Sequence, residues 1–465
     1  MSTKIGIVGL VLACLWGDRL SGADSGRNVK TLMQQLTDTR ARVTLDQDSQ
    51  SVAALELVGI GKPAVEPLMA ALGNEGPEVR RRAAWALGEI RDCRVVSALT
   101  QALKDKDGFV RNAAGEALSK IGQPAAYGLR AALESSEASV RIIAARALGK
   151  IGDPCAAERL ATAVKDADPA VVCWAIWALG KIRDRRGVPA LVVALRNHDP
   201  RTRESAAWAL GEIGEPAVGA LIAALGGESA ETRSSAVRAL AVIGTPAVAP
   251  LTSALHDRNR FVRGHAAQAL GMIGQPEAVS ALLPLLKDES SLVRSRAAGA
   301  LGKVAGTRAP EALLAALKDA HPEVRRFAAE GLGQTKDLRA IESLIVVLKD
   351  EDAQVRRASM DALGEFRDRR AAAPALDALK DPDRLVRLAA ATTLRQLKDP
   401  RAIEPLIEVV GDTFNAVGYE ANAALCEIKG HKVDIPTGWD AHTIRTYRKP
   451  LWRRWWEENK ARFGK

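Results

Sequence analysis

Residues 79–90 read VRRRAAWALGEI, and variants of this stretch return along most of the 465-residue chain. The copies align at intervals of 30 or 31 residues on a pair that is Val-Arg or Thr-Arg in ten of them. Its first residue falls at Val79, Val110, Val140, Val171, Thr202, Thr232, Val262, Val293, Val324, Val355, Val386 and Val417. A period this regular indicates a unit that cannot bury its apolar face alone and stacks on its neighbours. The pattern therefore predicts one elongated repeat body, although the length alone would suggest about three globular domains.

Each unit contains one long amphipathic helix. Counted from the Arg80 position, residue +7 is leucine in all twelve copies, and residue +3 is alanine in all but the copy with Ser359. Apolar residues at −1, +3, +7 and +10 have the helical spacing of one buried stripe. Glycine often follows the leucine, as at Gly88. Because glycine inside a helix costs about 1 kcal/mol relative to alanine, its return predicts a close approach between helices.

A shorter apolar segment precedes each long helix, for example residues 189–195 and 281–286. Gly-x-Pro and Asp-Pro turns separate the segments. Each unit is thus helix, turn, helix, turn, and a weaker stretch ending near Pro63 makes a first copy. The predicted fold class is all-α, a right-handed α-solenoid superhelix of about 13 two-helix repeats.

The pattern Val-Arg-x-x-Ala-Ala-x-Ala-Leu-Gly-x-Ile resembles the HEAT-like repeats of the phycobilisome lyase (PBS lyase) family over about residues 50–430. In that family the arginine commonly pairs with a turn aspartate of the same or the next unit. Aspartates stand six residues before the arginine position in several units here: Asp105, Asp257, Asp288, Asp319, Asp350 and Asp381. The resemblance thus implies a structural Asp–Arg ladder, and not a nucleic-acid stripe, through Arg80, Arg111, Arg141, Arg203, Arg233, Arg263, Arg294, Arg325, Arg356 and Arg387.

The ends of the chain differ from the repeats. Lys4 precedes an apolar run over residues 5–16, and Ser21-Gly22-Ala23 has the small residues of a signal-peptidase site. We therefore divide the chain into a signal peptide (1–23), an N-terminal cap with a degenerate first repeat (24–61), the solenoid (62–430) and a Trp-rich basic C-terminal cap helix (431–465). Export to the periplasm is expected. The alternatives are a lipoprotein anchored at Cys14 and a cytoplasmic protein.

The net charge of +10 is concentrated at the ends. Residues 445–465 contribute +6 and residues 1–23 contribute +1, which leaves +3 for the remainder. A nearly balanced solenoid lacks the basic surface that nucleic-acid binding needs, so we expect no nucleic-acid partner. The five cysteines form no Cys-x-x-Cys pair, and we expect no metal and no cofactor.

Two enzyme families share similar repeats. Deoxyhypusine hydroxylases resemble this fold but carry His-Glu pairs that hold two irons. None of the six histidines here is followed by glutamate; they are His198, His256, His265, His321, His431 and His442. Bilin lyases resemble the repeat too, but no motif can be carried over from them. We therefore expect no catalytic residues, and keep an enzyme of either type as the alternative.

Positions +5 and +9 of the long helices vary in chemistry, as expected of a binding surface on a fixed scaffold. Residues 170–180 contain no charged residue, and Val172 replaces the ladder arginine. Tryptophans are favoured interface anchors. The predicted contact face consists of Trp85, Trp174, Trp177 and Trp208, with Arg146, Lys150 and Lys181 as rim charges. The alternative is that tryptophan fills this slot structurally and that Trp174 packs into the core.

The C-terminal tail carries Trp452, Trp455, Trp456 and Phe463 on one helical stripe. This ending resembles the tails of HEAT-repeat proteins exported by some Gram-negative bacteria. A cap that hides the last hydrophobic face is predicted, and weak contact with an anionic membrane surface is the alternative. Taken as a whole, the sequence predicts a monomeric, non-catalytic scaffold that binds a protein or peptide partner on its concave helical face.

Overall fold

The structure, a computed structural model, describes residues 24–37, 52–304, 309–429 and 441–463. Every regular element in these ranges is a helix, so the predicted all-α class is confirmed. The chain divides into two compact units, Met1–Ala217 and Val218–Lys465. The expected signal peptide, with Cys14, lies outside the described residues, as do His431 and residues 430–440.

The α-helices described in the first unit are α1 (Asp24–Thr37), α2 (Val52–Ile60), α3 (Val65–Ala71), α4 (Pro77–Ile90), α5 (Val96–Ala102), α6 (Gly108–Ile121), α7 (Gln123–Ala132), α8 (Ala138–Ile151), α9 (Ala157–Ala163), α10 (Pro169–Ile182), α11 (Val188–Ala194) and α12 (Pro200–Ile213). Those described in the second unit are α13 (Val218–Ala224), α14 (Ala230–Ile243), α15 (Val248–Ala254), α16 (Arg260–Ile273), α17 (Val279–Leu282), α18 (Ser291–Val304), α19 (Ala309–Ala316), α20 (Pro322–Thr335), α21 (Ile341–Val347), α22 (Ala353–Phe366), α23 (Ala372–Ala378), α24 (Arg384–Leu397), α25 (Ile403–Val409), α26 (Asn415–Lys429) and α27 (Ala441–Asn459).

From α3 to α26, a short helix alternates with a long one. Each short helix packs against the long helix that follows it, and within each unit successive long helices pack against each other. The leucine at +7 is buried in every repeat, from Leu87 to Leu425. The first two helices, α1 and α2, pack together ahead of these pairs. The predicted solenoid of two-helix repeats is therefore confirmed within each unit.

Side chains in the turns define where the long helices begin. The carboxylate of Asp107 accepts hydrogen bonds from the backbone N–H groups of Phe109 and Val110, and it thereby caps α6. Asp168 caps α10 in the same way. Pro169 follows it at the first helical position, where the missing N–H is not needed.

Glycine brings neighbouring long helices close together. A Cβ atom added to Gly88 would lie 2.6 Å from the Cα atom of Ala117 on the next long helix. One added to Gly271 would lie 2.5 Å from the Cα atom of Ala300. The predicted close approach is therefore confirmed. Positions +2, +5 and +9 of the long helices share one helical face. We call this surface the long-helix face.

The tail helix α27 packs on the last repeat. Trp452 is buried, and its indole N–H donates a 2.9 Å hydrogen bond to Oδ1 of Asn422. Trp455, Trp456 and Phe463 pack against the same apolar cluster. The tail helix therefore packs on the helices of the last repeat, α25 and α26.

In the described ranges, no single helix is both long and apolar enough to cross a membrane. One pair, Ala230–Ile243 and Thr245–Ala254, passes that test only when taken together, and it is bent by 118°.

Candidate functional site

The ladder arginines bind the turns of two repeats. In all ten, one Nη atom donates to two backbone carbonyls in the turn just before its own helix, as Arg325 does to Asp319 (2.9 Å) and Ala320 (3.1 Å). In seven of them, the guanidinium also donates two hydrogen bonds to the aspartate 25 residues further along. Arg325, for example, donates from Nε and Nη2 to the two carboxylate oxygens of Asp350, at 2.7 and 2.8 Å. These seven are Arg80, Arg141, Arg263, Arg294, Arg325, Arg356 and Arg387. Each bidentate pair thus ties one repeat to the next.

These ion pairs are partly buried, and the charges stabilise each other. The Arg80 side chain, by its hydrogen bonds, holds the pKa of Asp105 below its ordinary value against the opposing effect of burial. At Asp319, burial alone would raise the pKa, but the hydrogen bonds from Arg294 and from the backbone N–H of His321 bring it below the ordinary value. Arginines held in these ion pairs have a structural role.

The ladder is interrupted over several repeats, of which the sequence pattern singles out only the one with Val172. Among the described residues, Arg111, Arg203 and Arg233 form no ion pair with a carboxylate, although their carbonyl hydrogen bonds are present. The turn after Arg111 has serine at the aspartate position, and the turn after Arg203 has glycine. The guanidinium of Arg233 lies over the Phe261 ring at 4.4 Å. Together with α10, where Val172 replaces the arginine, four of the five long helices from α6 to α14 lack the pair.

Two tryptophans on α10 form the centre of the predicted contact face. The rings of Trp174 and Trp177 are in edge-to-face contact, with centroids 5.4 Å apart and an interplanar angle of 79°. Both side chains are only half-buried, so Trp174 does not lie in the core. The guanidinium of Arg146 on α8 lies 5.7 Å from the Trp174 ring. The arrangement is an open aromatic pair flanked by a cation.

Glycines of the preceding helix seat the tryptophans at +5. A Cβ atom on Gly149 would lie 2.6 Å from Cζ3 of Trp177, and one on Gly180 would lie 2.8 Å from Cζ3 of Trp208. Trp208 lies against Gly180 and beneath Lys181, whose Nζ is 5.3 Å from the ring. The sequence signal for these contacts is glycine at +8 of one long helix and tryptophan at +5 of the next long helix. The sequence analysis does not identify it.

The predicted rim charges divide into two kinds. Lys150 binds Glu116 at 2.6 and 2.7 Å, and Arg146 donates to Asn112 and lies 3.5 Å from Glu116. These two cations therefore already have partners on α6. Lys181 is exposed and, in the part of the chain that the structure describes, pairs with no carboxylate. Glu116, which the sequence reasoning did not select, is the carboxylate that lies against both Arg146 and Lys150.

Trp85 lies apart from the other tryptophans. It is half-buried on α4, and α6 and α8 lie between α4 and α10 in the packed layer. Three helix spacings amount to roughly 30 Å. We therefore define the tryptophan strip as Trp174, Trp177 and Trp208 with Arg146 and Lys181, and we leave Trp85 outside it.

Groups that could support metal or thiol chemistry are dispersed. The described ranges contain no cluster of three or more His, Cys, Asp or Glu side chains placed to hold a metal ion. Cys93, Cys155, Cys173 and Cys426 are free thiols. His265 is buried, its Nδ1 lies 2.7 Å from the Phe261 carbonyl oxygen, and burial lowers its pKa. We find no catalytic arrangement around these groups.

Comparison with known proteins identifies the repeat. A model of HEAT repeats matches residues 65–129, 127–192, 160–221, 218–302, 279–359, 309–378 and 341–426. No curated protein sequence matches the chain significantly. The structure of Kap121p bound to Pho4p is similar with a TM-score of 0.53 and 13% identity, over 92% of this chain and 56% of that one. The karyopherin Kap121p bound to the extreme C-terminus of the protein phosphatase Cdc14p gives a TM-score of 0.50 and 15% identity, over 88% of this chain and 53% of that one.

These solved structures are about twice as long as the part that this chain matches, and at such identities the likeness concerns the fold alone. The HEAT-repeat matches, in contrast, extend over residues 65–426 and include every ladder arginine. They rest on the same sequence pattern that forms the packed helix pairs. The chain belongs to the HEAT-repeat family.

Proposed function

We propose that this protein is a non-catalytic scaffold that binds a partner protein or peptide through the tryptophan strip on the long-helix face of the first unit. The observation that carries the proposal is the seating of Trp177 and Trp208. One edge of each ring is packed on a glycine, while the side chain as a whole remains only half-buried. Tryptophan and arginine are the residues most enriched at interface hot spots.

Preorganisation supports this function. A side chain that is already held in place loses little conformational freedom when a partner covers it. The glycine seats hold the indole rings, and the Arg146–Glu116–Lys150 network holds the cation beside Trp174. Lys181, exposed above Trp208, offers a positive charge at the edge. We expect a partner segment with apolar side chains flanked by an acidic residue.

The fold is compatible with this role. Similar solved structures include Kap121p bound to Pho4p and Kap121p bound to Ste12p. For this chain, partner binding by the same kind of repeat is our proposal. We also propose that its units are HEAT-like repeats of the PBS-lyase type, which the motif at residues 79–90 supports.

Affinity capture from native extract would test the strip. The triple variant Trp174→Ala/Trp177→Ala/Trp208→Ala is compared with wild type and with Trp85→Ala, all checked for equal helicity by circular dichroism. We expect wild type and Trp85→Ala to retain the same partner and the triple variant to lose it. With the purified partner, titration calorimetry should show at least about a 30-fold loss of affinity for the triple variant, the size expected of a hot spot.

Charge reversal at an exposed site provides a second variant that leaves the packing intact. Lys181→Glu should weaken the same partner several-fold and leave the thermal unfolding midpoint unchanged. If the triple variant and Lys181→Glu both bind as wild type does, the strip is packing and the proposal fails.

We further propose that the protein acts after export, as a monomer. The apolar run over residues 5–16 and the small residues Ser21-Gly22-Ala23 support this proposal. Mass spectrometry of the protein from the periplasmic fraction should show Asp24 as its first residue. An acylated Cys14 or a full-length cytoplasmic chain would instead support the lipoprotein or the cytoplasmic alternative.

A further inference from the structure

The long-helix face of the second unit contains a polar cavity of about 150 Å³ between α16, α18 and α20. Gln268, Arg296, Gly299, Lys303, Phe327 and Glu330 are among its lining residues. A volume of this size holds several water molecules or one small polar group. The cavity lies in a different unit from the tryptophan strip, so it is independent of the proposed partner site.

Gly299 creates the cavity. It occupies the +5 position of α18, where other repeats place tryptophan, arginine or glutamate. A Cβ atom at this position would lie 3.1 Å from Cδ1 of Phe327, and beyond it the space is open to the lining side chains. The missing side chain of one repeat therefore leaves a hollow in an otherwise continuous row.

Arg296 lines this hollow. Its guanidinium is 5.9 Å from the Phe327 ring, and in the described residues it forms no ion pair with a carboxylate. Its Nε atom is buried and has no hydrogen-bond partner. Burial lowers the pKa of Arg296; the negative charge of Glu323 opposes this effect, and the positive charge of Arg326 adds to it. A half-buried cation without a partner is costly, and a bound anion would remove that cost.

The charges around Arg296 determine which anion fits. Glu330 also lines the cavity, but it binds Arg326 at 2.8 Å and so has its own cation. Lys303 is exposed at the rim. The proximity of the Glu330 carboxylate disfavours a doubly charged group such as phosphate. A single carboxylate matches the planar donors of one guanidinium in both charge and geometry.

We propose that this cavity binds one carboxylate group, held by Arg296 with Lys303 at its rim. The carboxylate belongs either to a small organic acid or to an acidic side chain of a bound polypeptide. The cavity would bind the carboxylate in the same way in both cases. Its size accommodates only the carboxylate end of the small acid or of the side chain.

The Nε–Hε signal of Arg296 in ¹⁵N-labelled full-length protein reports on the site directly. Assigned by its absence in Arg296→Met, it is followed while sodium propionate is added, with sodium chloride at equal ionic strength as the control. We expect a saturable downfield shift with a millimolar dissociation constant for propionate and none for chloride. Glu330→Gln, which removes the repelling carboxylate, should tighten propionate binding several-fold.

Gly299→Leu fills the hollow without touching Arg296, and it should abolish the shift while preserving helicity. A blocked peptide, acetyl-Gly-Gly-Glu-Gly-Gly-amide, distinguishes the two sources. Binding of the peptide at least ten times tighter than propionate assigns the carboxylate to a polypeptide, and equal or weaker binding assigns it to a small acid. The proposal is overturned if neither probe gives a saturable shift in wild type, or if Gly299→Leu responds as wild type does.

Discussion

Gly152 and Gly244 end long helices with the same φ of 73° but with ψ values of 36° and −134°. Gly152 is a left-handed cap, and the following Asp153 caps the next turn. Gly244 ends α14 and also begins the next turn by itself. Gly122 and Gly214 have the same conformation as Gly244, and these three turns account for the three 30-residue spacings. One backbone angle thus decides whether a repeat has 30 or 31 residues.

Alanine at these two glycines should have unequal effects. A left-handed conformation costs a non-glycine residue about 1–2 kcal/mol, whereas the conformation of Gly244 is almost closed to side chains. No atom lies within 3.9 Å of a Cβ at either position, so packing does not contribute. We expect Gly244→Ala to lower the local free energy of opening by about 1 kcal/mol more than Gly152→Ala. Amide hydrogen exchange of the adjoining helices measures this, and equal losses would refute the assignment.

At the scale of elements, the glycines at +8 set the separation of the long helices. The Cβ of Gly271→Ala would overlap the backbone of Ala300, so α16 and α18 must move apart. We expect this variant to lose about 1–3 kcal/mol of stability even though alanine favours helix. Gly219→Ala on α13, where nothing lies within 4 Å, is the control and should gain up to about 1 kcal/mol. Urea unfolding followed by circular dichroism compares them, and a neutral Gly271→Ala would argue against close packing.

The packing of α27 predicts the effect of losing one hydrogen bond. Trp452→Phe keeps an aromatic ring but leaves Oδ1 of the buried Asn422 without its donor. We expect the free energy of opening of the last repeat to fall by about 1–3 kcal/mol. Limited proteolysis within residues 441–463 measures it, with the exposed Leu451→Ala as a control that stays near wild type.

The membrane alternative for α27 predicts a different result. A helix that lies on a lipid surface would bind vesicles containing phosphatidylserine at low salt and leave them at high salt. If α27 were such a helix, Trp452→Phe would also leave the stability of the last repeat in solution unchanged. Because Trp452 is buried, we expect no vesicle binding by the folded protein.

The ion pairs between repeats give the element interfaces a pH dependence. The pKa of Asp319 is lowered in the folded protein, so its contribution is complete above the unfolded value near 3.9 and is lost as the pH falls through the folded value. Asp319→Asn should therefore be less stable than wild type at pH 7 and should lose less stability between about pH 5 and pH 2. Asp257→Asn, at an aspartate that forms no ion pair in the described residues, is the matched control. Parallel thermal unfolding curves for all three proteins at each pH would contradict this role.

At the scale of the whole molecule, the two units differ in how completely the ladder is formed. Five consecutive arginines from Arg263 to Arg387 bind the carboxylate of the next repeat. In the first unit only Arg80 and Arg141 do so. The interrupted repeats include α10, which carries Trp174 and Trp177. The helix α10 has no ladder arginine of its own, although the turn before it is joined to the preceding repeat by the ion pair of Asp166 with Arg141.

This difference should be visible in hydrogen exchange. The turn amides of Ser290, Asp352 and Asp383 donate to ladder aspartates, whereas those of Glu137 and Asp199 donate to Ser135 and Asn197. We expect exchange at least about tenfold slower in the first group, because a charge-assisted pair contributes about 1.5–3 kcal/mol. Equal exchange in the two groups would mean that the ladder adds little to local stability.

Much of this architecture could be read from the sequence because it depends on local periodicity. The leucine at +7 and the alanine at +3 place one buried stripe on each long helix, and the 30- or 31-residue interval forces the units to stack. The ladder could be anticipated from Asp105 and its equivalents and its gap from Val172, although not the missing ion pairs of Arg111, Arg203 and Arg233. Those failures depend on which turn residue faces which arginine across two repeats.

The sequence by itself determined the helix pairs, the stacking and the position of each variable side chain on the long-helix face, since these follow from spacing along one chain. Only the tertiary structure decided which of those side chains meet. It brought Arg146 to Trp174 and Lys181 to Trp208, occupied Arg146 and Lys150 with Glu116, and kept Trp85 apart. It also revealed the hollow at Gly299. The physical reason is that contacts between repeats depend on the separation and register of neighbouring helices, which glycine at +8 and the turn conformations set in three dimensions.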